Sequence, residues 1–238
     1  ELANNAIGKI STAEVYWNQS QLWYRKNDPG WSEMEWMIRD WVNWCWLSGD
    51  HIVEQHVHNI DVANWFFGKH PVKALGFGSR QRRKTGDQYD NFAVRYELDD
   101  GRQVLSMCRQ INGCDNAVNE IFHGTKGKSF TQQGGTSTIT DMDGNQLFAF
   151  EDHETSPYVQ EHKDLITCIR QNIPWNEAEA TANSVMTAIM GRVSAYTGKE
   201  VTWEEMMNSD LKLGPDTYIM GDIGFIDNAK VPVPGTDE

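Results

Sequence analysis

The stretch that most limits what this chain can fold into lies between residues 92 and 109. Residues 92–98 and 103–109 are two apolar-rich runs separated by Asp99-Asp100-Gly101, and that spacing predicts a β-hairpin. A hairpin cannot bury its apolar face alone, so more strands or a covering layer must complete it. Further strands are expected at 11–18, where Ala13, Val15 and Trp17 alternate with Thr12, Glu14 and Tyr16, and at 72–78, 117–123, 136–140 and 146–150. Helical patterns flank this run. Residues 31–46 carry Ser32 and Glu35 as a capping box and a stripe of Met34, Met37, Trp41 and Trp44, with Trp41 and Trp44 expected in the core. After the strands, a helix from Tyr158 runs through Leu165, Ile166 and Ile169 to a break at Pro174. A long one spans 177–196 before Gly198, and Thr202-Trp-Glu-Glu205 opens a short one. The order predicts an α+β fold: an open, mostly antiparallel sheet with helices packed on one face and the other free to meet a partner.

At 238 residues and 39% hydrophobic content the chain supports a real core, read as a single domain over 1–238. A formal charge of -13 argues against nucleic acid and against an anionic membrane surface, both of which need a basic face. No apolar run reaches the length of a membrane span. The cluster Arg80, Arg82, Arg83 and Lys84 is read as a solvated loop, and the four cysteines, which form no CxxC pair, as reduced core residues. Gly76-Phe-Gly78 matches half of a dinucleotide fingerprint, but the third glycine is missing where a helix should start, so it is not read as a cofactor loop. Glu1-Leu-Ala-Asn-Asn5 lacks signal-peptide character, which leaves the compartment open between cytoplasm and periplasm.

The functional signal sits in residues 48–65, read as one helix opening near Asp50. At about 100° per residue, His51, Glu54, Gln55, His58, Asp61, Val62 and Trp65 fall in one sector. Ile52, Val53, Val57, Ile60, Ala63 and Phe67 fall opposite, with His56 on their side. A solvated face normally carries Lys, Glu and Gln; imidazoles, carboxylates and an indole converging at i, i+3, i+4 and i+7 point instead to a reacting site on a rigid element. A polar face of hydrogen-bonded histidines is the plain alternative. His51, Glu54 and His58 also make a two-histidine, one-carboxylate metal set, although the spacing matches neither HExxH nor HxxEH.

Three landmarks resemble the C-terminal domain of the Gfo/Idh/MocA oxidoreductases. Ala6-Ile-Gly-Lys-Ile10 precedes the first strand as at that domain's entry. Residues 49–65 are similar to the helix where the family writes Gly-Gly-Gly, then Asp-x-Gly-x-His, then Asp, and 184–203 resemble its closing helix and Thr-Trp-Asp/Glu tail. The resemblance implies that His58 is the active-site histidine and Glu54 stands for the first motif aspartate. It also implies that Asp61 is the later aspartate, with His56 replacing the motif glycine. It implies a substrate-binding and oligomerisation domain acting on a sugar or polyol, with NAD or NADP carried by a Rossmann domain that has no counterpart here. The chain alone is then expected to hold no cofactor and to be inactive, and to assemble as a homo-oligomer through its sheet. His58 would serve as base with Glu54 or Asp61 orienting its ring, and His51, Gln55, Asp61, Trp65 and Arg39 are candidates for holding substrate hydroxyls. Two other readings remain open: a nicotinamide-dependent glycosidase of the same family, and a metal-binding hydrolase or carbohydrate-binding module.

Overall fold

The computed structural model describes residues 5–132, 134–151 and 156–236. Its strands are β1 (Ile10–Gln19), β2 (Lys73–Ser79), β3 (Asn91–Glu97), β4 (Gln103–Gln110), β5 (Ala117–Gly124), β6 (Gly127–Gln132), β7 (Thr136–Asp141), β8 (Gln146–Glu151) and β9 (Val201–Thr202). Its helices are α1 (Glu33–Arg39), α2 (Cys45–Ser48), α3 (His51–Glu54), α4 (Val57–Phe67), α5 (Pro157–Gln171), α6 (Ala178–Thr197) and α7 (Trp203–Met207). The strands form one 9-stranded sheet in the order β8-β7-β6-β5-β1-β4-β3-β2-β9. Only β1 and β4 run parallel; every other neighbouring pair is antiparallel.

The 92–109 hairpin forms as the spacing predicts, with Phe92 opposite Cys108, Val94 opposite Ser106 and Tyr96 opposite Val104. All six side chains are buried, and α4 and α6 cover their side of the sheet. The other face of the sheet leaves Phe77 and Leu105 exposed. Gly76 and Gly78 lie inside β2, not in a turn. A Cβ on Gly76 would stand 2.9 Å from the Gly191 carbonyl of α6, and one on Gly191 would run into the Tyr96 hydroxyl. These glycines let helix and sheet approach closely. No described helix is long and apolar enough to cross a membrane.

Two strands escape the sequence pattern. In β6, Gly-Lys-Ser-Phe-Thr-Gln, Phe130 is the only large apolar residue; it forms because β5 offers an edge, and Ser129 is buried there. β9 is two residues long, too short to show a period. The helix expected over 31–46 is broken into α1, a 3-10 turn at Trp41–Asn43, and α2. Asp40 causes the break by turning its carboxylate to the Arg25 amide (2.7 Å) and the Asn43 side chain (2.8 Å). Ser32 caps α1, but Glu35 pairs with Arg39 instead of closing a capping box. Trp44 is buried as expected, whereas Trp41 is 40% exposed.

Met34, Met37 and Trp44 form a second small core, roofed by Ile223, Phe225, Ile226 and Ala229 from the C-terminal tail. The Glu33 carboxylate fastens that tail by accepting the amides of Ile223 and Gly224, both at 2.6 Å, and of Ile226. All four cysteines are free; Cys45, Cys108 and Cys168 are buried, and Cys114 departs from the core expectation by being exposed.

Candidate functional site

The helix expected from Asp50 to Trp65 is two helices, and the break decides which side chains reach the surface. Gly49 (φ 79°) and Asp50 (φ 73°) turn the chain into α3. At Gln55–His56 the His56 amide reaches back five residues to the His51 carbonyl at 3.1 Å. One extra residue in a helical turn rotates the residues before it by roughly 100° relative to those after it. The projected sector therefore splits. His58, Asp61 and Trp65 remain on the exposed face of α4, while His51 turns inward and is 2% exposed.

The exposed group lies above the middle of the sheet. The His58 ring sits 5.7 Å from the Trp17 ring of β1. Asp61 accepts the Ser184 hydroxyl at 2.6 Å, which ties α4 to α6. Trp65 is 74% exposed and stacks on Phe66. Glu54 and Gln55 are half-buried and bound to one another at 2.7 Å, and Glu54 Oε2 is buried without a partner. Among the described residues no hydrogen bond joins Glu54 or Asp61 to the His58 ring, so the carboxylate orientation expected from the sequence is not made. Arg39 is not brought to this surface: it lies on α1, pairs with Glu35 at 2.8 Å and stands 4.8 Å over Trp31. The metal triple is not assembled either. Among the described residues no three His, Cys, Asp or Glu side chains group so as to hold an ion, because His51 points into the interior on the far side of the helix break from His58.

Beneath α4 runs a polar connection that the sequence pattern does not reveal. His56 is fully buried, and its Nε2 lies 2.7 Å from the Ser106 hydroxyl of β4. Burial first, then the charge of His51, lowers His56 to about 3, so the ring is neutral near pH 7. Asn59, 2% exposed, donates to Glu120 of β5 at 2.6 Å, and Thr131 of β6 donates to the other Glu120 oxygen at 2.6 Å. The one local signal of it is His56 itself: an imidazole where the family resemblance expects glycine needs a buried polar partner.

On the other side of the break, Asp50 organises a second network. Its carboxylate accepts the His51 amide (2.6 Å), His51 Nδ1 (3.0 Å), the Tyr89 amide (2.9 Å) and the Tyr196 hydroxyl. Burial pushes its pKa up, but the His51 bond and charge, the Arg83 charge and the Tyr196 bond together hold it below the ordinary value. Arg83 is 7% exposed and donates to Asn43 (3.0 Å) and Gln110 (2.7 Å). Arg80 points into the loop carbonyls of Gly86 and Thr85, and Asp90 accepts the amides of Gln81 and Arg82. The basic cluster is thus solvated only at Arg82 and Lys84, which are exposed, whereas the Arg80 and Arg83 guanidiniums turn inward to loop carbonyls and amide oxygens.

Asp87 completes this network and carries a pH prediction. Burial pushes it up to about 6, against the Cys45 amide that donates to it at 2.7 Å and with the Asp50 charge adding to the rise. A raised folded value means that the folded protein keeps a proton that the unfolded chain releases above about pH 4. Stability from this group therefore falls between about pH 4 and 6, and above that window the penalty is constant, on the order of 3 kcal/mol. Asp87→Asn keeps an oxygen for the Cys45 amide and is expected to be more stable than the parent by about 1–3 kcal/mol at pH 7.5 and nearly equal near pH 4. Urea unfolding at the two pH values checks this; the same gain at both would remove the linkage.

A dinucleotide pyrophosphate is held by backbone amides of a glycine-rich strand-to-helix turn. The Gly76 and Gly78 backbone is committed to β2, with Gly76 packed on α6, so these two glycines do not form such a turn. No curated protein sequence matches the chain. Solved structures do match in fold. An oxidoreductase of Desulfitobacterium hafniense described as NADPH-dependent is 16% identical over 86% of this chain and 60% of its own, with a TM-score of 0.67. The UDP-N-acetylglucosamine 3-dehydrogenase GnnA of Acidithiobacillus ferrooxidans is 15% identical over 81% of this chain and 56% of its own, at 0.61. GenD2 from gentamicin A biosynthesis, solved with NAD, is 16% identical over 84% and 57%, at 0.60. The chain thus spans less than two thirds of the length of each of these proteins. The family model described as oxidoreductase family, C-terminal alpha/beta domain, matches residues 1–203. With that match and this sheet, the chain belongs to the Gfo/Idh/MocA oxidoreductases and carries their C-terminal α/β domain.

Proposed function

We propose that this chain is the substrate-binding half of a nicotinamide-dependent sugar or polyol oxidoreductase, with His58 as the base. Oxidising a carbinol takes a proton from oxygen and a hydride from carbon. The residues of this chain are suited to the first task, and a bound NAD or NADP, held elsewhere in the complete protein, supplies the acceptor for the second. The observation that carries the reading is the exposed His58 over Trp17, flanked by Asp61 and by the Asn59–Glu120 pair. An imidazole accepts a hydroxyl proton near neutral pH, an indole face accepts the C–H face of a sugar ring, and carboxylates accept the remaining hydroxyls. The same reading assigns the sheet face bearing Phe77 and Leu105 to self-association.

One experiment tests both parts: native mass spectrometry of the longest natural form of the protein, purified without added cofactor. The expected result is a nicotinamide dinucleotide bound to an assembly of more than one subunit. An absent dinucleotide that also fails to bind when added would sink the redox reading, and a monomer would remove the role given to the sheet face.

A further inference from the structure

Glu120 has a feature that a purely structural role does not explain. Its carboxylate is half-buried and receives two hydrogen bonds, from Asn59 and Thr131, both neutral donors. Among the described residues no Lys, Arg or His pairs with it, although other partly buried carboxylates of this sheet do find a basic side chain, as Glu14 does with the His123 ring at 2.9 Å and Glu97 with Lys73 at 3.2 Å. Burial accordingly raises its pKa, with the Thr131 and Asn59 bonds pulling the other way. A carboxylate offers about four acceptor positions, so about two remain open. Holding an anion here without a counter-charge is unfavourable unless further donors arrive.

The register shows where those donors come from. Val15 pairs with Glu120 and Trp17 pairs with Val118 across β1 and β5, so Glu120 and Trp17 are diagonal neighbours at about 7 Å on the helix-covered side of the sheet. Trp17 is the residue against which His58 stands, and Asn59, next to His58 in α4, holds Glu120. Glu120 itself is fixed from two sides: Asn59 holds one oxygen and Thr131 the other. A group anchored from α4 and β6 and left with open acceptor positions beside a candidate base is a preorganised ligand site.

We propose that Glu120 is the hydroxyl-accepting group of the substrate site, and that the ligand it selects is a sugar or polyol bearing a hydroxyl pair adjacent to the carbon presented to His58. This rests on the proposed function for the identity of the base, but the binding claim is readable without turnover. The test is titration of the wild-type protein, Glu120→Gln and Glu120→Asp with glucose, xylose, myo-inositol and singly deoxygenated glucoses, followed by calorimetry and by amide NMR shifts at Asn59 and Thr131. At least one sugar is expected to bind the wild type and to lose about 10- to 100-fold in affinity with Glu120→Gln, as for a hydroxyl-to-carboxylate bond. Glu120→Asp, which keeps the charge and shortens the reach, should lose less. The deoxy analogue lacking the recognised hydroxyl should bind wild type and Glu120→Gln alike. Equal affinity of a sugar for wild type and Glu120→Gln, or no sugar binding to the wild type, overturns the proposal. The two readings fail separately: weakened sugar binding without any dinucleotide keeps the Glu120 site and drops the redox reading. A bound dinucleotide with sugar affinity indifferent to Glu120 does the reverse.

Discussion

Asp50→Ala is expected to destabilise the chain by about 3–5 kcal/mol, in the range seen when one partner of a buried charged network is removed. The carboxylate is fully buried and receives four donors from three elements: the amide and Nδ1 of His51, the Tyr89 amide and the Tyr196 hydroxyl. Alanine leaves each of these facing a cavity, and it strips the nearby Arg83 guanidinium of an anion. The backbone sharpens the test. Asp50 sits at φ 73°, ψ 161°, a region that only glycine enters freely, at a cost of about 1–3 kcal/mol for other residues. Asp50→Gly loses the same hydrogen bonds but relieves that strain, so it should fall short of the parent yet exceed Asp50→Ala by on the order of 1 kcal/mol. Since the folded pKa is held below the ordinary value, the stabilisation is present above about pH 4 and disappears as acid protonates the group in the folded state. Urea unfolding followed by tryptophan fluorescence measures all three proteins. A loss under about 1 kcal/mol for Asp50→Ala would mean that the Asp50 network does not hold the fold together.

Asp50 also explains why part of the site is not legible in the sequence. The central strands and the α6 helix are legible because their buried residues recur with the period the geometry demands: Phe92, Val94 and Tyr96 alternate, and Ala188, Gly191 and Ala195 line one face of α6 before the Gly198 cap. Residues 51–67 also show a period, but periodicity assumes an unbroken helix. The left-handed turn at Gly49–Asp50 and the wide turn at His56 are each fixed by tertiary hydrogen bonds, to Tyr196 and to Ser106, that lie 146 and 50 residues away in the chain. No local window contains those partners. His58, Asp61 and Trp65, all within α4 and after the break, therefore share the face that the projection gives them, while His51, before it, does not. The same limit hides Glu120, whose importance depends on pairing with Asn59 across 61 residues. Arg83 departs from its solvated reading for a related reason: a basic run is usually solvated, and nothing local says that Gln110 and Asn43 wait for it.

His58→Ala in the complete protein is expected to lower kcat by about 100- to 10,000-fold, the span attributed to a positioned general base. Folding should hardly change, because the His58 side chain is exposed and its described contact is the Trp17 ring at 5.7 Å. This separates it from His51 and His56, which are buried and whose replacement would act through stability. The lack of a bond from either carboxylate to the ring gives a second, sharper expectation. If a neighbouring carboxylate oriented the imidazole, Glu54→Gln and Asp61→Asn would each reduce kcat nearly as far as removing the histidine. In the observed arrangement Asp61 is held by Ser184 and Glu54 by Gln55, so Asp61→Asn should act mainly on the α4–α6 contact. Glu54→Gln tests a different point, because Glu54 Oε2 is buried and has no hydrogen-bond partner among the described residues. A rise in KM with kcat nearly kept would make Glu54 a substrate contact, whereas a kcat loss equal to that of His58→Ala would make the two a coupled pair formed only on binding. An undiminished kcat in a soundly folded His58→Ala protein would take the proton transfer away from this helix altogether.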